Sequence, residues 1–237
     1  MKLTPRLADF LWSPAPFEEA TPVSSAADRA GAAEMSAAPY AHQPLLGPRV
    51  ELRPLARSDA EALVAAASDG ALWNLPFTEV PSAGTVARYI RDALDGRAAG
   101  TALPYATVIR ESGQVVGTTR FCRISARHRK LEIGGTWLAT AWQRSFVNTE
   151  AKFLMLRFAF ERLGCVRVQF QADAGNRASR AALLRLGAVE EGIARSERIM
   201  PDGRLRDSVQ FSIVEREWPA VRERLARRLA QGGPAPD

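Results

Sequence analysis

The chain is organised around one passage, from an extended strand through a short polar loop straight into a long apolar helix. Residues 137–152, WLATAWQRSFVNTEAK, impose that passage. The loop reads Gln143-Arg144-Ser145-Phe146-Val147-Asn148. The helix is expected to open at Asn148 or Thr149, both good capping residues, and to run apolar to Leu163. Such a loop aims free backbone N–H groups at one point, with the helix dipole behind them. That arrangement suits a phosphate or pyrophosphate, and Arg144 adds a positive charge. The same features also describe an ordinary strand-to-helix turn, so the flanks must decide.

Upstream, Val50 to Leu55 alternates like a strand, and Ser58 or Asp59 caps a helix to about Ala67. A second helix spans about 83–94, ended by Asp95-Gly96. Strands at about 104–110 and 114–124 form a hairpin through Ser112-Gly113, and a third strand spans 129–138. Gly164 closes the main helix. A strand at 165–172, a helix at 176–186 ended by Gly187, a hairpin of strands at 189–199 and 205–214 turning at Asp202-Gly203, and a helix at 217–229 complete the chain. This order predicts a mixed α+β fold.

The 237 residues, 46% of them hydrophobic, suffice for one sizeable core with a segment to spare. The surplus is residues 1–47, rich in Ala, Pro and Ser, which read as a disordered extension. Within it Leu3, Leu7, Phe10, Leu11 and Trp12 outline one short helical face, and Met35 offers a second translation start. Residues 48–230 form the globular domain and 231–237 a tail. The net charge of +6 comes from Arg scattered among acidic residues, without the run of like charge that a nucleic-acid arm would show. Cys122 and Cys165 sit in separate apolar runs, and His42 and His128 lack ligand spacing, so neither disulfide nor metal is expected. No stretch approaches the ~20 apolar residues of a membrane span, and a cytoplasmic location is expected.

The flanks then become informative. Leu131-Glu132-Ile133-Gly134-Gly135-Thr136-Trp137-Leu138 precedes the loop, and Phe158-Ala159-Phe160-Glu161-Arg162-Leu163-Gly164-Cys165-Val166-Arg167-Val168 follows the helix. Then come Asn176-Arg177-Ala178-Ser179-Arg180 and Leu186-Gly187-Ala188-Val189-Glu190-Glu191-Gly192. In this order the segments resemble the GNAT acetyltransferase superfamily, in its RimJ/RimL-like branch, over residues 48–219. The resemblance implies a mostly antiparallel sheet, flanked by helices, whose middle strands splay to admit the pantetheine arm of acetyl-CoA. It implies acetyl transfer from acetyl-CoA to a primary amine, on a protein N-terminus or a small molecule. Thr136, Trp137 and Leu138 would meet the pantetheine amides through their backbone. Gln143, Arg144, Ser145, Phe146, Val147, Asn148 and Thr149 would hold the pyrophosphate, and Asn176 the arm, unless Asn176 is simply a helix cap. The family loop usually has small residues where Phe146 and Asn148 stand.

Direct transfer needs a proton acceptor for the amine, a donor for the oxyanion and a proton for the leaving thiolate. Strict alternation puts Glu132, Gly134 and Thr136 on one strand face, and Ile133, Gly135 and Trp137 on the other. Glu132 is the candidate base if buried, and otherwise a solvated strand residue. Many relatives carry a Tyr seven residues after the Asn; here Leu183 stands there, while Ser179 matches the serine of the RimJ/RimL branch. Ser179 is thus a candidate thiolate partner or a helix-surface residue. By the same resemblance Trp73, Asn74 and Phe77 would wall the acceptor site, unless they simply plug the core, with Asp207 lining it or pairing an Arg. Glu150, in the first helical turn, reads as structural. A non-catalytic acyl-CoA-binding module is the alternative function, and a homodimer stands beside a monomer.

Overall fold

The computed structural model describes residues 42–200 and 202–231. The expected N-terminal helical face and the second start at Met35 lie outside them, as does the C-terminal tail beyond Gln231. The ordered body begins upstream of residue 48, because Leu45–Leu46 (β1) already pairs with Val50–Pro54 (β2). Strands Ala102–Ile109 (β3), Val115–Ser125 (β4), Lys130–Leu138 (β5), Arg167–Asp173 (β6), Val189–Ile199 (β7) and Leu205–Val214 (β8) follow. Together they form one sheet in the order β1-β2-β3-β4-β5-β6-β8-β7, in which β5 and β6 alone run parallel to each other.

Helices Ala60–Ser68 (α1) and Val86–Ala98 (α2) cover one face of the β2–β5 half. There Leu63, Ile90, Ala106, Val108 and Trp137 share one buried cluster. The second helix was expected to stop at Asp95-Gly96 but runs on to Ala98. A Cβ at Gly96 would just touch Ala102, so glycine lets the helix lie close to β3, and the chain turns at Gly100, whose φ is +69°.

Phe146–Arg157 (α3) covers the opposite face, with Trp218–Ala230 (α5) beside it. Trp218 stacks on Phe160, and its indole N–H donates to Glu161 at 2.9 Å. The last turns of this long helix, Phe158–Arg162, widen to π geometry before Gly164 takes φ +60°. Arg177–Leu186 (α4) ends at Gly187 with φ +98°, a left-handed cap that glycine adopts freely.

Glu150 is structural, though not through the helix dipole alone. It is buried on α3, and its Oε1 accepts the backbone N–H of Arg49 and of Val50 at 2.8 and 2.9 Å. One carboxylate thus fastens the start of β2 to α3. A side chain at Gly47 would collide with that oxygen, so the approach requires glycine.

Strict alternation fails in β5. Gly135 takes φ +56°, and the β4–β5 register slips between Thr118↔Trp137 and Arg120↔Gly134. This is a β-bulge with glycine at its left-handed position. Beyond it every side chain changes face. Trp137 joins Glu132, while Thr136 moves to the α3 side and meets Thr119, Oγ1 to Oγ1, at 2.8 Å. A glycine inside a strand was the available sign of this break.

The bulge also seats a buried amine. Lys152 of α3 donates through Nζ to Thr136 Oγ1 at 2.6 Å and to Thr119 Oγ1 at 3.0 Å, and no carboxylate among the described residues pairs with it. Burial pushes its pKa down to about 7 from an ordinary 10.5. Between those values the unfolded chain holds a proton that the folded chain has released, so stability rises with pH through that window. We expect Lys152→Met to be more stable than the parent below pH 7. Its advantage should shrink as pH climbs towards 10.5, since the two threonine hydroxyls still bond each other. Urea unfolding at several pH values measures this; a constant difference would refute it.

Candidate active site

Pairing between β5 and β6 covers only Lys130↔Arg167, Leu131↔Val168 and Glu132↔Gln169. Past that point β5 turns with β4 and β6 with β8, and a fork opens between them. Glu132 stands at its base, 6% exposed. Its Oε2 accepts a hydrogen bond from Gln169 Nε2 at 3.2 Å and lies 3.5 Å from Arg123 Nε. Arg123 reaches it because a second register break gives this residue φ +49°. Cys122 Sγ lies 3.8 Å from Glu132 Oε1, and burial first, then this carboxylate, pushes the thiol up to about 12. Burial likewise raises Cys165 to about 11. Neither thiol is a ready nucleophile.

Along the β5 arm of the fork, Trp137 Nε1 donates to Tyr89 Oη at 3.2 Å, and Tyr89 also bonds Thr118 at 2.8 Å. The Leu138 carbonyl accepts Gln143 Nε2 at 2.9 Å, so Gln143 braces the strand end rather than pointing away from it. The helix beyond opens at Phe146, earlier than the expected Asn148 or Thr149. Ser145 is its cap, with Oγ accepting the Val147 N–H at 3.3 Å. The shift has a packing cause. Phe146 lies under the Arg49 guanidinium at 3.9 Å and edge-on to Trp142 at 6.2 Å, and both contacts draw it into the first turn. Val147 is buried, Asn148 and Thr149 are half-buried in that turn, and Gln143 and Arg144 are exposed, Arg144 at φ +60°. First-turn amides such as those of Phe146 and Asn148 have no acceptor within the helix.

On the β6 arm, Asn176 caps α4, its Oδ1 accepting the Ser179 N–H at 3.0 Å. Ser179 is half-buried in the first turn, and Leu183, where a tyrosine stands in many relatives, is buried. Beyond the end of β6 lies an open cleft of ≈ 470 Å³ lined by Phe77, Asp173, Gly175, Arg204 and Asp207 among others. The structure therefore brings Phe77 and Asp207 together but leaves the exposed Trp73 and Asn74 outside that lining. Asp207 Oδ1 accepts the Ser196 N–H at 2.7 Å and pairs with no Arg among the described residues. Arg204 bridges Asp173 at 2.8 Å and the Pro76 carbonyl at 2.9 Å, pinning the 72–77 segment over the cleft.

Several neighbours of Glu132 escaped sequence reasoning. The placement of Arg123 depends on a left-handed backbone and that of Tyr89 on helix docking, and neither leaves a trace in local pattern. Gln169, Gln171 and Arg206 were legible as the polar half of alternating strands, since Val168, Phe170, Val209 and Phe211 fill the other half.

Residues 49–189 match the family model described as "Acetyltransferase (GNAT) domain". YdaF of Bacillus subtilis, which carries a provisional ribosomal N-acetyltransferase name, is 35% identical over 106 residues, covering 45% of this chain and 57% of that protein. The chain thus spans little more than half the length of YdaF. A solved structure from T. thermophilus, provisionally described as an acetyltransferase, is 34% identical with a TM-score of 0.71, covering 79% of this chain and 97% of that one. RimJ of Mycobacterium smegmatis, solved in complex with CoA-disulfide, shares the fold at 22% identity with a TM-score of 0.66 over 76% of this chain and 90% of that one. The chain belongs to the GNAT family of acetyltransferases.

Proposed function

We propose that this protein transfers the acetyl group of acetyl-CoA directly to a primary amine. The observation that carries the reading is the β5–β6 fork with a buried carboxylate at its base and a helix N-terminus beside one arm. In this reading the pantetheine arm enters the fork along the backbone of Thr136, Trp137 and Leu138, and Asn176 meets it from the β6 side. The pyrophosphate lies on the amides around residues 144–149, with Arg144 above them. Phe146, which stands where the family loop has a small residue, packs its ring against Arg49 and Trp142.

The amine approaches from the face that Glu132 shares with Phe77 and the cleft. Glu132 accepts its proton, directly or through water. The nitrogen attacks the thioester carbon, the C–S bond breaks, and Ser179 hydrogen-bonds the departing thiolate. A coenzyme A thiol has a pKa near the free-cysteine value of ~8.5, so the thiolate leaves tolerably well at neutral pH. The name of YdaF favours a protein N-terminus as acceptor. Thiol release in the presence of an amine and peptide library tests the activity; acetyl-CoA binding without turnover would favour a non-catalytic binding module.

Three variants test the parts. Asn148→Pro removes one first-turn amide and should weaken acetyl-CoA binding at least about tenfold, whereas Asn148→Ala keeps the amide and the affinity. Calorimetry giving equal affinities would remove that amide from the site. Glu132→Gln should lower kcat by roughly 10²–10⁴-fold, the span of general acid–base catalysis; full-rate turnover would make Glu132 a spectator. Ser179→Ala should cut kcat by about 10–100-fold with acetyl-CoA binding intact, because one hydrogen bond to a charged group contributes roughly 1.5–3 kcal/mol. If Ser179 is only a helix-surface residue, alanine would instead leave turnover unchanged and the melting temperature equal or higher.

A further inference from the structure

The sheet face that carries Glu132 is apolar where α1 and α2 cover it, then continues as an open polar surface across β5, β6 and β8. Three of its carboxylates are matched, while Asp207 at the cleft accepts the Ser196 N–H and meets no Arg among the described residues. Glu132 faces Arg123, Asp173 pairs with Arg204, and Glu197 pairs with Arg123 at 2.8 Å and Arg198 at 3.7 Å. Two cations on the same face remain without an ion pair among the described residues, Arg120 and Arg206.

Arg206 is 7% exposed. Its Nη1 makes one long contact, 3.4 Å, to the Phe77 carbonyl, and its Nε is buried without a partner. Burial works against its charge, as does nearby Arg198, while Asp173, Glu197 and Glu132 oppose that effect from a distance. Arg120 sits directly across from Gly134 and lies against the Gly135 backbone, and its Nε is also buried and unpartnered. A buried guanidinium without a counter-ion is costly, and planar donors of this kind fit a carboxylate in two-point fashion.

We propose that the acceptor is an amine that also carries a carboxylate, which Arg206 anchors on the polar face beside Glu132. The inference rests on the acetyl-transfer reading for the identity of the ligand. Two sources present this chemistry: the α-carboxylate of a free amino acid, and an acidic side chain close behind a protein N-terminus. Anchoring either would orient the amine by holding the molecule at a second point.

The test is calorimetry on the full chain saturated with coenzyme A, using two matched pairs of probes. Alanine against alaninamide reports on the α-carboxylate. A Ser-Asp peptide amide against its Ser-Asn counterpart reports on the acidic side chain. The carboxylate member of one pair should bind at least about tenfold tighter than its neutral partner, the size of a charge-assisted contact. Arg206→Gln should abolish that preference and Arg206→Lys should keep part of it, both without change in coenzyme A affinity. That unchanged affinity also shows the variants to be folded. Equal binding within both pairs, absence of binding by all four probes, or a preference that survives in Arg206→Gln would overturn the proposal. Turnover of the same probes is read separately. Acetylation without carboxylate preference defeats the anchor alone, and preference in binding without acetylation defeats the transfer reading alone.

Discussion

Everything distinctive about this fold follows from hydrogen bonds that two neighbouring strands stop making. β5 and β6 pair over three registers and then part. Strand backbone left unpaired inside a protein is costly unless something else satisfies it, so a fork of this kind is stable only where it is backed on one side and open to a polar occupant on the other. The backing here is α3. Its Met155 meets Thr119 of β4, Phe153 packs against Trp218 of α5, and Glu150 locks the helix to β2. The strands can separate because the helix beneath them does not move with either.

The bulge at Gly135 does for side chains what the fork does for backbone. By inserting one residue it sends Thr136 to the α3 face, where Lys152 grips it, and turns Trp137 to the other, where Tyr89 does. The arm of β5 beyond Glu132 is thus held from both sides by side chains while its edge towards β6 stays free of sheet pairing. A buried lysine is an expensive way to fix a strand. Its use at this position fits a segment whose geometry matters more than its stability, in keeping with the strain that functional sites store elsewhere in proteins.

Charge on the face of Glu132 is arranged with similar economy. Arg123 and Arg204 each pair a carboxylate, and both also tie separate elements together: Arg123 links β4 to β7 through Glu197, and Arg204 links the entry to β8 to the Pro76 segment. Arg120 and Arg206 remain on that face without an ion pair among the described residues, so the pairs that tie the elements together also decide which charges are left over.

The sequence by itself determined the order and type of nearly every element, because those follow from short-range chemistry. Alternation in 205–214, the apolar run 151–160, and the glycines at 164 and 187 each carry their own physical signal. It also singled out Glu132, Asn176 and the loop before α3, through the order in which these stretches occur. Tertiary structure decided what depends on partners distant in the chain. Phe146 enters the helix because Arg49, almost a hundred residues upstream, covers it. Thr136 and Trp137 exchange faces because β4 imposes a register that tolerates one extra residue. The cleft gathers Phe77 and Asp207 but not Trp73 or Asn74 because Arg204 and Arg206 hold the carbonyls of Pro76 and Phe77. Local propensity has no access to such contacts, since each is set by where another strand or helix comes to rest.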